Sequence, residues 1–200
     1  MKTAVYSGSF NPLHIGHLAI MKYMIEDAGY DMVYLIVSPK NPLKDGISSA
    51  SGINRYEAAV EAVSRHFGMA SGTGERLSHS EESQKVKVDD IELTMPEPHY
   101  TIRTLDALKV REPDNEFTFI MGADNLADIR RWRDYGRILR EYGVAVYPRE
   151  GINLDEVKKG LIEEDNSYRI QILDAPMVDI SSTDIREGMA AGKDMREWLM

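Results

Sequence analysis

Near its start the chain has two short apolar segments separated by a stretch with helical spacing. The apolar segments are TAVYS (3–7) and MVYLIVS (32–38), and both have the length of buried strands. Between them, Leu18, Met21 and Ile25 recur three or four residues apart, which puts them on one face of a helix. A strand, a helix and a second strand in this order predict two parallel strands joined by a right-handed crossover. The first part of the chain therefore favours an α/β fold.

The same alternation continues to the end of the chain. Further strands are predicted at about 85–93, 117–122, 143–148 and 168–174. Further helices are predicted at about 53–66, around 102–108, and at 124–129, 134–141, 155–164 and 182–191. Residues 68–84 are rich in Gly and Ser and have no apolar period, so we expect a flexible insertion there. The pattern predicts one doubly wound, Rossmann-like α/β domain over residues 1–200, with a mostly parallel sheet flanked by helices.

Composition excludes several classes of protein. The net charge of -9, from 24 basic and 33 acidic residues, argues against a protein that coats nucleic acid or an anionic membrane. The absence of cysteine excludes disulfides and thiol chemistry. No apolar run approaches the ~18 residues of a membrane span, and the first ten residues do not resemble a secretory leader. We expect a cytoplasmic protein that binds its ligands in a local pocket.

The segment SGSFNPLHIGHLAI (7–20) leaves the first predicted strand and enters the first predicted helix. Gly8 permits a tight exit from the strand, and the helix start directs free N–H groups at the loop. His14 and His17 are three residues apart at that helix start, so both imidazoles can face the same side. The pair suits a polyphosphate, whose charge would favour protonated imidazoles. The competing interpretation is one histidine that caps the helix and one at the surface.

A second stretch, ISSTDIREG (180–188), follows the last predicted strand. Ser182 or Thr183 is a natural N-cap, and Arg186 lies one turn into the helix. The hydroxyls, the free N–H groups and the guanidinium can converge on phosphate oxygens. An ordinary cap beside a solvated arginine is the alternative. Because ligands of such sheets bind at the carboxyl ends of the strands, we expect this stretch to meet the histidine loop.

Together, GSFNPLHIGH and ISSTDIR resemble the nucleotidyltransferases that share an H-x-G-H loop and an ISST-x-x-R helix. The segments SPKNPLK, PHYTIRTLDAL, FIMGADNL and RWRDYGRIL make the chain similar to bacterial nicotinate-nucleotide adenylyltransferases from about residue 3 to residue 192. The resemblance implies transfer of AMP from ATP to nicotinate mononucleotide, which gives deamido-NAD and pyrophosphate. It also implies Mg²⁺ carried in with ATP, and no dedicated metal site. No nucleic acid or membrane partner is expected.

The resemblance also implies roles for individual residues. His14, His17 and Arg186 are the catalytic candidates. The candidates for ATP binding are Gly8, Ser9, Phe10, Ser182 and Thr183, and those for binding the mononucleotide are Lys44, Thr101, Asp124 and Trp132. Asp124 would bind a ribose hydroxyl or cap the next helix. The indole of Trp132 would stack on the pyridine ring or pack in the core.

Several alternatives stay open. The acceptor could be nicotinamide mononucleotide or phosphopantetheine, and a non-catalytic nucleotide-binding protein is a further alternative. Class I aminoacyl-tRNA synthetases share the HIGH motif, but they also need a KMSKS loop and parts that bind tRNA, which this sequence lacks. Asn11 stands where the family commonly has Asp, which casts doubt on any carboxylate role there. The oligomeric state, with a homo-oligomer among the options, is not decided by the sequence.

Overall fold

Six parallel strands form the centre of the molecule. The computed structural model describes residues 1–39, 49–68, 85–176, 178 and 180–200. The strands are β1 (Lys2–Gly8), β2 (Met32–Val37), β3 (Val86–Asp89), β4 (Glu116–Gly122), β5 (Val144–Tyr147) and β6 (Ile170–Ile172). Their order in the sheet is β3-β2-β1-β4-β5-β6, and each neighbouring pair is parallel. The predicted doubly wound α/β fold is confirmed, and the sheet formed by the described residues is wholly parallel.

Helices connect the strands. They are α1 (Ile15–Glu26), α2 (Ser49–Phe67), α3 (Ile91–Thr94), α4 (Thr101–Arg111), α5 (Ala123–Ala127), α6 (Tyr135–Arg137), α7 (Leu154–Glu164) and α8 (Ser182–Ala190). Short 3₁₀ turns cover Ile129–Arg131 and Arg196–Trp198, and a π-helical turn covers Ile138–Tyr142. Within the described ranges, no helix combines the length and the apolar character that crossing a membrane requires.

Three predicted elements need correction. The strand predicted at 85–93 ends at Asp89, because the Asp89 carboxylate accepts the backbone N–H of Ile91 at 3.1 Å and the chain turns into α3. The helix predicted at 134–141 is divided into α6 and the π-helical turn. The strand predicted at 168–174 is shortened to β6. The predicted insertion at 68–84 lies outside the described residues apart from Gly68.

The sheet separates two apolar layers because successive side chains of a strand point to opposite faces. In β1, Val5 packs with α4 and the segment that follows β4, whereas Ala4 and Tyr6 pack with α1 and α2. Both faces of the strand are therefore covered, which explains its nearly continuous apolar sequence.

The strand order reverses between β1 and β4, which are neighbours at the centre of the sheet. At such a switch point the chain departs to opposite faces from adjacent strands, and a crevice opens at their carboxyl ends. The loop that follows β1 carries the two histidines, and α5 follows β4 directly. The fold therefore predicts the site at this edge.

Candidate active site

Two cavities open at the carboxyl edge of the sheet, and Tyr6 and Tyr147 line both. The first cavity has a volume of about 290 Å³, and its polar lining residues include His14, His17, Arg149, Glu150, Ser181 and Asp184. The second has a volume of about 180 Å³, and its lining includes Gly8, Ser9, Ser38, Glu92, Thr101 and Trp132. Because the cavities share two aromatic side chains, ligands bound in them would be close neighbours.

The two histidines cap helix α1 reciprocally. His14 is the N-cap, and its Nδ1 accepts the backbone N–H of Gly16 at 3.2 Å. The backbone N–H of His14 in turn donates to Nδ1 of His17 at 3.1 Å. The ring centroids lie 3.7 Å apart. Because each Nδ1 accepts an N–H, the neutral rings carry their protons on Nε2 and are available as donors. The competing interpretation is right that a histidine caps the helix, but wrong that the other lies at the surface, because His17 takes part in the cap and is partly buried.

The environment keeps both imidazoles neutral when no ligand is bound. Burial, followed by the positive charge of Arg149, lowers the pKa of His14 to about 4, while Asp184 acts in the opposite direction. Burial, followed by the charges of His14 and Arg149, holds the pKa of His17 well below its usual value. At neutral pH the pair therefore offers two N–H donors without positive charge.

Helix α8 is anchored to the loop that precedes α1. The hydroxyl of Ser182 donates to the backbone oxygen of Pro12 at 2.9 Å. Arg186 donates through Nη1 to the backbone oxygen of Asn11 at 2.7 Å and through Nη2 to Oγ1 of Thr183 at 3.0 Å. The two motifs of the sequence are thus brought together at one edge of the sheet, as the sequence predicts.

The N-cap of α8 is Ser181, so the prediction of Ser182 or Thr183 is wrong. The Ser181 hydroxyl accepts the backbone N–H of Asp184 at 3.2 Å, and the Asp184 carboxylate accepts the backbone N–H of Ser181 at 2.9 Å. This capping box satisfies two helix-end groups at once. Ser181 and Asp184 line the first cavity.

The structure adds Arg149, which the sequence analysis did not identify. This residue follows β5 and lines the first cavity with the histidines. Its Nε lies 3.6 Å from Oδ1 of Asp124, and its guanidinium lies 5.7 Å from the ring centroid of Tyr147. The available signal was its position: an arginine two residues after a core strand, at the edge where the histidines were predicted.

Polar and aromatic side chains share the second cavity. Gly8 and Ser9 lie there with Thr101 and Trp132, not in the first cavity with the histidines. Trp132 packs edge-to-face on Phe119 at 5.9 Å between ring centroids and is partly buried, so its ring has both a packing partner and a cavity face. This cavity suits a ligand with a flat ring and several polar groups.

Comparison with known proteins identifies the family. The Cytidylyltransferase-like family model matches residues 5–188. The probable nicotinate-nucleotide adenylyltransferase of Flavobacterium johnsoniae is 36% identical over 199 residues, which is 100% of this chain and 92% of the relative. That of Bacteroides fragilis is 36% identical over 198 residues, 99% of this chain and 87% of the relative. The chain belongs to the nicotinate-nucleotide adenylyltransferases. The predicted resemblance and the predicted enzyme class are confirmed.

Solved structures agree on the fold. The Plasmodium falciparum nicotinic acid mononucleotide adenylyltransferase complexed with NaAD has a TM-score of 0.74 at 16% identity, over 100% of this chain and 91% of that one. The same protein complexed with APC has a TM-score of 0.71 at 15% identity, over 99% and 90% of the two chains. These matches extend the adenylyltransferase fold over the whole chain.

Three remaining candidates from the sequence, Phe10, Asp124 and Lys44, are not among the described residues that line either cavity. Phe10 is buried and packs edge-to-face on His17 at 5.1 Å between ring centroids, so its side chain holds the imidazole by packing. Asp124 lines neither cavity and pairs with Arg149 instead. Lys44 lies outside the described residues. Among the residues that the structure does describe, no group of three His, Asp or Glu side chains could hold a metal ion.

Proposed function

We propose that this adenylyltransferase transfers AMP from ATP to nicotinate mononucleotide, which gives deamido-NAD and pyrophosphate. The observation that carries the proposal is that Ser182 and Arg186 are hydrogen-bonded to Pro12 and Asn11, in the loop that leads into the histidine pair, beside two adjoining cavities. Residues from the two ends of the sequence converge there on the start of α1. Such a cluster of N–H donors and a guanidinium suits a polyphosphate.

The first cavity suits the triphosphate of ATP. The phosphate of the mononucleotide is the nucleophile, and it is already ionised at neutral pH, so the reaction needs no general base. The enzyme has to position the phosphates and stabilise the charge of the pentavalent transition state and of the departing pyrophosphate. We assign His17 to the α-phosphate with His14 beside it. Ser182, Thr183 and Arg186 do not line this cavity, but their neighbours Ser181 and Asp184 do. We therefore assign the three residues to the β- and γ-phosphates, where the triphosphate would extend past the cavity.

Arg149 adds a positive charge to the same cavity. The neutral histidines alone would donate hydrogen bonds without neutralising charge. A guanidinium that already acts on both imidazoles electrostatically is close enough to act on a phosphate bound beside them. We therefore include Arg149 among the groups that stabilise the transferred phosphoryl.

The second cavity suits the mononucleotide. We assign the pyridine ring to the exposed face of Trp132 and the polar groups of the mononucleotide to Thr101. Gly8 and Ser9, which the resemblance implies for ATP, line this cavity and not the first, so we assign them to the mononucleotide instead.

Arg131 and Arg133 also line this cavity. Each has a long ion pair, at 3.7 Å with Asp128 and at 3.6 Å with Asp134, and retains donors that can bind the carboxylate of nicotinate, which an amide would not match in charge. Tyr6 and Tyr147 line both cavities, so the two ligands would meet beside these rings, where the acceptor phosphate can approach the α-phosphate.

We infer that Mg²⁺ arrives with ATP. Two carboxylates, Asp184 and Glu150, line the first cavity. This small donor set suits an ion that takes its main ligands from substrate phosphates and water. The ion would supply neutralisation of the charge on the departing pyrophosphate.

A paired assay tests the proposal. Pyrophosphate release is measured with ATP and nicotinate mononucleotide, and in parallel with nicotinamide mononucleotide and with phosphopantetheine. We expect the highest kcat/KM with nicotinate mononucleotide. A mock purification from cells that carry the empty vector serves as the control for contaminating activity. Equal or higher efficiency with the amide would overturn the nicotinate assignment, and no release with any acceptor would overturn the proposed activity.

A further inference from the structure

The wall of the second cavity includes a buried carboxylate that holds its neighbours in place. Glu92, in α3, is 3% exposed. Its Oε2 accepts the Ser38 hydroxyl at 2.6 Å, and its Oε1 accepts the hydroxyls of Thr104 at 2.8 Å and of Ser7 at 3.4 Å. These donors come from the end of β1, the end of β2 and α4. One carboxylate therefore connects three separate elements around the cavity.

A buried cation holds the same wall from the other side. Arg55, in α2, is 6% exposed. Its Nη2 donates to the backbone oxygens of Ser38 at 2.9 Å and Pro39 at 3.0 Å, and its Nη1 donates to the backbone oxygen of Ser9. Arg55 thus joins the loop after β1 to the end of β2.

Ser38 connects the two charges. Its hydroxyl donates to Glu92 and its carbonyl accepts from Arg55, so the opposite charges are linked through one residue without touching. Among the residues that the structure describes, neither charge has an ion-pair partner, which means that the hydrogen bonds through the wall provide their stabilisation. A buried charge that loses such a bond is left poorly solvated, so the wall is held firmly in one geometry.

We propose that Arg55, Ser38 and Glu92 form a positioning relay that fixes the acceptor side of the active site. This proposal rests on the proposed function, because it assigns the second cavity to the mononucleotide. The relay orients Ser7, Ser9 and Ser38, three serines that line the second cavity and are absent from the lining of the first. Loss of the relay should therefore weaken binding of the mononucleotide, while binding of ATP is retained.

The discriminating experiment measures KM separately for each substrate. Ser38→Ala removes one oxygen and breaks the link to Glu92, and Glu92→Gln removes the charge while keeping one acceptor oxygen. We expect KM for nicotinate mononucleotide to rise on the order of tenfold in each variant, the effect of one lost hydrogen bond to a charged group. KM for ATP should stay within about twofold of the wild-type value. Arg55→Lys keeps the charge but not the forked donor, and should raise the same KM.

Glu97→Gln is the matched control. Glu97 is exposed and lies three residues after α3. Glu97→Gln removes one negative charge, as Glu92→Gln does. Its kinetics should match the wild type. Thermal unfolding of each variant reports its stability, and calorimetric titration with nicotinate mononucleotide reports binding without turnover.

The outcomes separate this proposal from the proposed function. An equal rise of both KM values would overturn the relay, because it would indicate a general loss of structure. No change in either KM would also overturn it, because the hydrogen bonds would then have no effect on the binding of the mononucleotide. If the wild type binds nicotinate mononucleotide but forms no product, the proposed activity fails, and the titrations alone decide the relay. If Glu92→Gln does not fold, the smaller change Ser38→Ala decides.

Discussion

Replacing His14 by Asn separates its capping role from its titration. Asn is a strong N-cap residue, so the variant keeps an oxygen that can accept the backbone N–H of Gly16. It cannot take up a proton. We expect the free energy of unfolding of His14→Asn at about pH 8 to lie within about 1 kcal/mol of the wild-type value. The two proteins should diverge only as the pH falls.

The size of the divergence follows from the environment of the imidazole. Burial and the charge of Arg149 lower the pKa of His14 from 6.5 to about 4. As the pH falls below 6.5, the unfolded chain binds the proton before the folded chain does, so stability decreases. The stabilisation is complete above pH 6.5 and is lost down to the folded pKa, which amounts to about 3 kcal/mol by about pH 4.

Urea denaturation between about pH 8 and about pH 4 measures this difference. Carboxylates titrate equally in both proteins, and their contribution cancels when the two profiles are subtracted. His66→Asn, a change at an exposed histidine of α2, is the comparison: partial burial, followed by the charges of Arg65 and Lys22, also lowers the pKa of His66, so its profile should diverge from the wild type's in the same direction but less than that of His14→Asn. Parallel profiles for wild type and His14→Asn would refute the claim that His14 is neutral because it is buried.

Three further predictions concern the reaction. His17→Ala should lower kcat about 10²–10³-fold through loss of one donor to the α-phosphate, with the circular dichroism spectrum retained; near-normal kcat would remove His17 from the chemistry. Arg149→Gln should lower kcat and raise the pKa of His14, which NMR titration of the imidazole follows, whereas an unchanged pKa would show that the guanidinium does not act there. Chelation of Mg²⁺ should abolish pyrophosphate release from ATP, and added Mg²⁺ should restore it; activity in excess chelator would contradict a metal carried by ATP.

The sequence was sufficient for the fold wherever an apolar run coincided with a strand. β1, β2, β4 and β5 lie where the runs predict them. The error at 85–93 has a clear origin: Ile91 and Leu93 continue the apolar pattern past β3, while the carboxylate of Asp89 turns the backbone into α3. A local side-chain hydrogen bond overrode the periodicity, and no pattern of hydropathy carries that information.

The candidate site was predictable only where the residues form a motif. His14, His17 and Arg186 belong to two recognisable stretches, and their meeting follows from the rule for parallel sheets. Arg149 is a single residue after a strand, so nothing local distinguishes it from a solvated arginine. Glu92 looked like a polar position in a predicted strand. Its burial depends on hydroxyls from three distant segments, which only the folded chain brings together.

The corrected cap of α8 explains how the two ends of the chain cooperate. Because Ser181 satisfies the helix start, the hydroxyl of Ser182 is available to donate to Pro12, 170 residues earlier in the sequence. Arg186 makes a second link to the neighbouring residue Asn11 across 175 residues. Between these linked residues in the chain lie β4, β5 and β6, and α8 follows β6, so both links depend on the packing of all three strands beside β1. The arrangement that we propose for phosphate binding therefore depends on the complete sheet, whereas the histidine pair, held by the local hydrogen bonds of α1, is assembled within four residues.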